Sequence, residues 1–227
     1  MKEKNRTIVT PRRVLMSLAG VALCGVFAGV FQFVAFGVDP FQCFVNGAHA
    51  VIPLPFGTVY MLLNAGLLLF SLIFDRHYIG PATLINMFLL GYVVQFTYGF
   101  LCSLMPAPAF WLRAAMMPFA LLGACLAGSL YITADLGVST YDAVALILSN
   151  TWHKLPFARC RVLTDFSCVL AGSGLYLLGG HTPDELPAIA GVGTIVTAFC
   201  MGPVIAWLNR HVSQPLLTCG KRKNKEF

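Results

Sequence analysis

Apolar residues run in long unbroken blocks along this chain. They show neither the alternation of a half-buried strand nor the one-sided stripe of a surface helix. Six blocks reach about the 20 residues that a membrane helix needs: residues 14–36, 57–74, 79–104, 114–134, 157–178 and 188–208. Five of them contain no Asp, Glu, Lys or Arg, and the fifth in order carries Arg159, Arg161 and Asp165. In hydrocarbon only a helix or a closed barrel satisfies its own backbone, and these runs are too long and too uniform for barrel strands of about 10 residues. The pattern predicts an all-α membrane protein with six transmembrane helices.

Two polar interruptions have a helical pattern of their own. Asp39, Pro40 and Gln42 read as N-cap, N1 and N3 of a helix over 40–51, and Ser139 to Asp142 make a capping-box-like start for a helix over 140–152. Gln42, Asn46 and His49 share one face of the first; Asp142, Ser149 and His153 share one face of the second. Both helices are too short to span. They either lie in the membrane interface or dip back as re-entrant segments.

These two segments also align with each other. Gly37-Val38-Asp39-Pro40-Phe41-Gln42 matches Gly137-Val138-Ser139-Thr140-Tyr141-Asp142. Ala28-Gly29 precedes the first as Ala127-Gly128 precedes the second, and Phe56 with Asn64 corresponds to Phe157 with Asp165. Residues 82–88 then match 193–199, with an insertion near His181 to Pro187. Each copy holds three spans, an odd number, so the second would enter from the opposite face. That is an inverted repeat, an arrangement common in secondary transporters. The expected organisation is a basic terminus over 1–13, one repeat over 14–104, a second over 114–208 and a basic tail over 209–227. The pair Gly25-x-x-x-Gly29 and its counterpart Ala124-x-x-x-Gly128 suggest the close contact between the two copies' first spans.

Composition sharpens this. Of 227 residues 58% are hydrophobic and 11% charged, against roughly 25% charged in a soluble domain. That excludes a disordered tail protein, a coiled coil and a secreted disulfide scaffold. The net charge of +6 needs no nucleic-acid partner. With six alternating spans and a cytoplasmic N-terminus, 14 of the 15 basic residues fall inside and only Arg113 outside, which places both termini in the cytoplasm. The apolar run after the N-terminal basic cluster is longer than a signal peptide's core and reads as a retained span. The basic tail suits anionic lipid. Trp111, Trp152 and Trp207 stand near predicted span ends, as interface anchors do. Eight scattered Cys form no Cys-x-x-Cys pair and read as packing residues.

Chemistry is sparse. There is no His-Glu-x-x-His, Gly-x-Ser-x-Gly, Walker loop or Gly-x-Gly-x-x-Gly, so no enzyme, cofactor or metal is expected. Polar groups inside spans are costly and invite a functional reading. Asp165 stands out, with Arg161 four residues earlier on the same face as its neutralising partner. Asn64 holds the matching place in the first copy, Asn86 and Gln95 lie in the third span, and Thr83 matches Thr194. Starts at Pro40 and Thr140 offer unpaired backbone N–H groups. The candidate substrate-binding residues are therefore Gln42, Asn46, Asn64, Asn86, Asp142, Asp165 and Thr194. The two carboxylates favour a zwitterionic or cationic solute, or proton coupling.

At Leu136-Gly137 followed by Asp142, and at Gly193-Thr194, the sequence resembles the bacterial YczE/YitT-type membrane proteins. That resemblance implies a bacterial inner-membrane location and names no substrate. The reading is a membrane protein that binds or transports a small organic solute by alternating access, with the lipid bilayer as its surroundings. The rivals are a substrate-capture subunit of a larger transporter and a non-transporting accessory or scaffold protein. Oligomeric state is not legible.

Overall fold

The computed structural model describes residues 10–152 and 157–218, and among these there is no strand. The long helices are α1 (Pro11–Val34), α3 (Phe56–Phe74), α4 (Pro81–Leu104), α5 (Phe110–Ala134), α7 (Phe157–Leu178) and α8 (Val192–Leu208). Six apolar helical stretches are long enough to cross a membrane, the sixth being the continuous run Pro183–Leu217 that contains α8. Between them lie α2 (Pro40–Val51), α6 (Thr140–Leu146), a π turn over Ile147–Thr151 and 3-10 turns over Arg76–Tyr78 and Pro183–Ala188. A second π turn (Asn209–Ser213) and α9 (Gln214–Thr218) prolong α8. Of the expected termini, residues 1–9 and 219–227 lie outside the described residues, as do Lys154 and His153.

Local chemistry sets the helix ends. Thr10 caps α1 and accepts from the Arg13 N–H at 3.4 Å, with Pro11 at N1. The helix thus starts three residues before the expected apolar boundary, and α5 likewise starts at Phe110. Each of these helices ends in a left-handed residue, Ala35 (φ 53°) and Asp135 (φ 50°), followed by Gly37 (φ 105°) and Gly137 (φ 120°). Two positive-φ residues so close together reverse the chain, and glycine meets that geometry at no steric cost.

The two turns dock on α8 and α4 by matching bonds. Gly193 N donates to Phe36 O at 2.6 Å, and Ala82 N donates to Leu136 O at 3.2 Å. Val38 N donates to Ile189 O at 3.3 Å, and Val138 N to Tyr78 O at 3.2 Å. Gly80 N and Gly191 N each donate to the hydroxyl three residues on, Thr83 and Thr194, at 3.2 and 3.3 Å. Each turn therefore rests on the start of a long helix from the other half of the chain. There is no room for a side chain: a Cβ on Gly37 would stand 2.6 Å from Thr194 Oγ1, and one on Gly137 2.7 Å from Gly80 N.

Arg13 and Arg113 fasten the same ends. Arg13 Nη1 donates to Ala134 O at 2.8 Å, at the end of α5. Arg113 Nε and Nη2 donate to Val34 O and Ala35 O at 2.6 and 3.1 Å, at the end of α1, with the guanidinium over the Phe36 ring. A cation at a helix C-terminus meets the negative end of the macrodipole. Arg113, the one basic residue assigned to the outside, thus has a structural duty.

The small-residue reading needs correction. Gly25 and Gly29 face Val93, Val94 and Thr97 of α4, and Gly128 faces Ile205 of α8. The contact between α1 and α5 instead runs through Gly20, which lies against the backbone of Ala127 and Tyr131. At about 100° per residue, Gly25 sits well round the helix from Gly20, so the two glycine faces serve different neighbours.

The short helices pack inside the bundle. Gly47 and Gly172 bring α2 and α7 into backbone contact, where a Cβ on Gly47 would stand 2.1 Å from Gly172 O. α2 then ends beside Gly179 and leads into α3, whereas the segment after α6 ends beside the far end of α3. There Thr151 donates to Asp75 at 2.8 Å and Trp152 packs on Phe70 and Phe74. Trp111 and Trp207 are exposed near helix ends.

Candidate functional site

The starts of α2 and α6 meet in the core. Phe41 and Tyr141, each the second residue of its helix, stack with ring centroids 5.0 Å apart at 23°. Tyr60 of α3 packs edge-on to Phe41, and the Arg161 guanidinium of α7 lies 4.6 Å from the centroid of the Tyr141 ring. Two aromatic rings thus separate a hydrogen-bonding side from an ionic side.

On the ionic side Arg161 joins two carboxylates. Its Nη1 donates to Asp142 Oδ1, and its Nε lies 3.3 Å from Asp165 Oδ1. Asp142 Oδ2 also accepts from Ser139 Oγ at 2.7 Å, and Asp165 Oδ1 from Tyr141 Oη at 2.5 Å. Arg161 stands four residues before Asp165 on α7, as the spacing predicts, but it also reaches across to α6.

The uncharged side continues the path. Thr140 Oγ1 donates to Asn64 Oδ1 at 2.5 Å, Asn64 Nδ2 donates to Tyr60 O at 2.8 Å, and Tyr60 Oη donates to Asn86 Oδ1 at 3.2 Å. Thr140 adjoins Tyr141 in sequence. Two polar sets therefore meet at residues 140 and 141: Thr140 ends a path from Asn86 on α4 through α3, and Tyr141 bonds to Asp165 on α7.

The structure places Asn64 and Asn86 in the uncharged set and Asp142 and Asp165 in the ionic set. Gln42 and Asn46 form a neighbouring set: Asn46 Nδ2 donates to Gln42 O at 2.8 Å, and Gln32 Nε2 donates to Asn46 Oδ1 at 3.0 Å. Thr194 stands elsewhere. It closes the start of α8, donating to Ile189 O at 3.2 Å. Gln95 accepts from Gly57 N at 3.0 Å and so caps α3.

The expectation of unpaired N–H groups at the short-helix starts fails. Asp39 Oδ1 accepts from both Phe41 N and Gln42 N at 3.1 Å, and Ser139 Oγ accepts from Asp142 N at 3.0 Å. Each cap uses the donors that an anionic ligand would need. The Arg161 guanidinium is also engaged by protein carboxylates. The arrangement suits a group that competes with Arg161 for Asp142 and Asp165, which means a cation.

Sequence reasoning missed Tyr60, Thr140 and Tyr141 as members of the site. The available signal was adjacency: Tyr60 precedes Asn64 by one helical turn, and Thr140 and Tyr141 stand beside Asp142. Asp39 lies outside the six spans, in the turn before α2. Burial pushes its carboxyl from 3.8 up to about 6, opposed by the Gln42 N–H, by Arg161 and by the Phe41 N–H, and reinforced by Asp165. Among the described residues no three His, Cys, Asp or Glu side chains converge as a metal site.

Six apolar helices around a polar core define an integral membrane protein of the all-helical class. The chain belongs to DUF6198, a family of unknown function, whose model matches residues 11–210. No curated protein and no solved structure matches it.

Proposed function

We propose that this protein is a small inverted-repeat transporter of the bacterial inner membrane, related to the YczE/YitT-type proteins. It carries a small organic solute by alternating access, with both termini in the cytoplasm. Residues 14–104 and 114–208 are its two repeats. The observation that carries this reading is the meeting of α2 and α6 start to start, beside a half-buried Arg161 shared by Asp142 and Asp165. Transporters of inverted-repeat design place ligands where short helices begin, between the repeats. The exchanged turn contacts and the paired Arg13 and Arg113 clasps support the repeat assignment.

In this reading a cationic or zwitterionic solute displaces Arg161 from the carboxylates. Thermal-shift screening of the purified protein against amino acids, amines and polyamines should give a stabilising compound, because a ligand bound only by the folded state raises stability. Uptake of that compound into proteoliposomes should then be abolished by Asp165→Asn and weakened by Asp142→Asn, with expression unchanged. Full uptake by both variants would show that Asp165 is only the structural partner of Arg161.

A further inference from the structure

We infer that the solute is a guanidinium-bearing compound, and that Arg161 fills its seat: a side chain of the protein itself stands where the solute's head group goes. The inference rests on the proposed solute site at Asp142 and Asp165 and deepens it by naming the chemical class.

The seat receives a flat cation on its edges and on its face. Arg161 Nη1 donates to Asp142 Oδ1, and Nε stands 3.3 Å from Asp165 Oδ1, so two N–H positions of one plane each meet a carboxylate. The central carbon of that plane lies 4.6 Å from the centroid of the Tyr141 ring. Other groups hold these partners in place. Asp142 accepts from Ser139 Oγ at 2.7 Å, Asp165 accepts from Tyr141 Oη at 2.5 Å, and the Tyr141 ring stacks on Phe41 at 5.0 Å. None of those three contacts uses Arg161, so the seat keeps its shape when Arg161 leaves. A guanidinium is planar, carries its donors in a rigid fork and lies flat on aromatic rings; an ammonium is a compact point charge. The geometry matches the first.

Two features favour exchange. Two carboxylates oppose one guanidinium, which leaves a surplus of negative charge for an incoming cation. The side chains of Arg161 and Asp142 are 34% and 38% exposed, and ion pairs this wet hold weakly. The solute must still compete with the tethered guanidinium. Its apparent affinity therefore falls by the fraction of molecules in which Arg161 has swung away. Removing Arg161 should tighten binding, the opposite of the effect for an arginine that itself binds the solute.

Thermal unfolding of the purified full-length protein, titrated in the millimolar range with ethylguanidinium chloride or with propylammonium chloride, tests this without any transport. Ethylguanidinium should stabilise wild type at a lower concentration than propylammonium does. Arg161→Met keeps an apolar stem and should bind ethylguanidinium about tenfold more tightly than wild type. Arg161→Lys, whose ammonium has no fork, should fall between them; if Arg161→Met does not fold, the comparison of Arg161→Lys with wild type decides. Tyr141→Leu should weaken ethylguanidinium binding by about two- to thirtyfold, whereas Tyr141→Phe keeps the ring and should lose less. The proposal is overturned if neither Arg161 variant binds ethylguanidinium more tightly than wild type, or if propylammonium binds at least as tightly as ethylguanidinium. Guanidinium binding without uptake into proteoliposomes would sink transport and leave this inference standing. Uptake of an amine without guanidinium binding would do the reverse.

Discussion

Arg113→Met removes the clasp on the end of α1 while keeping most of the side-chain stem. The guanidinium donates to two carbonyls, at 2.6 and 3.1 Å, and covers the Phe36 ring at 4.8 Å. A hydrogen bond to a charged group contributes about 1.5–3 kcal/mol, and a cation–π contact at a wet site about 0.5–1 kcal/mol. The two bonds come from one group at one helix end, so their contributions overlap, and the combined loss is about 2–4 kcal/mol. For a chain of this size each kcal/mol moves the unfolding midpoint by about 2–4 °C, so a fall of roughly 5–15 °C is expected. Heating in detergent with a dye that becomes fluorescent on reacting with thiols reads the midpoint, because Cys43 and Cys125 are buried thiols outside any disulfide. Arg113→Lys keeps the charge but not the forked donor and should recover only part of the loss. Arg13→Met, which removes one bond of 2.8 Å, should cost less than Arg113→Met. If Arg113→Met unfolds within about 1 °C of wild type, the clasp contributes under about 0.5 kcal/mol and the reasoning fails.

Two further outcomes test the packing and the orientation. Gly172→Ala would put a Cβ 2.5 Å from Cys43 O, so α2 must move; the same thermal assay should show about 1–3 kcal/mol of destabilisation. Gly174→Ala, where nothing lies within 4 Å, should be neutral or stabilising by up to about 1 kcal/mol. Asp184→Cys, in a background without the exposed Cys200, should react with an impermeant thiol reagent on intact cells; labelling only after membrane disruption would reverse the proposed topology.

Much of the helix plan was legible in the chain. Long runs without charge must satisfy their backbone internally, so span number and approximate limits follow from apolar length alone. The start of α2 was equally plain, because Asp39, Pro40 and Gln42 act on the backbone of their own turn. So was the pairing of Arg161 with Asp165, since one helical turn separates them. All of these depend on interactions local in sequence.

What depended on distant partners was decided by the fold. Nothing local says that Gly25 and Gly29 serve α4 while Gly20 serves α5; a glycine permits close approach without naming the neighbour. Nor does spacing reveal that Arg161 also takes Asp142, or that Thr140 satisfies Asn64, because those pairs come from separate helices. Seven polar residues stood as site candidates, with Asp165 foremost. Packing joined Asn64 to Asn86 through Tyr60 and Asp142 to Asp165 through Arg161, bonded Asn46 to Gln42, and used Thr194 to close a helix. The chain determined the helices and their caps through short-range backbone chemistry. Which polar groups share a neighbourhood was decided only when α2, α6 and α7 came together, because a buried polar atom must take whatever partner the packing brings within reach.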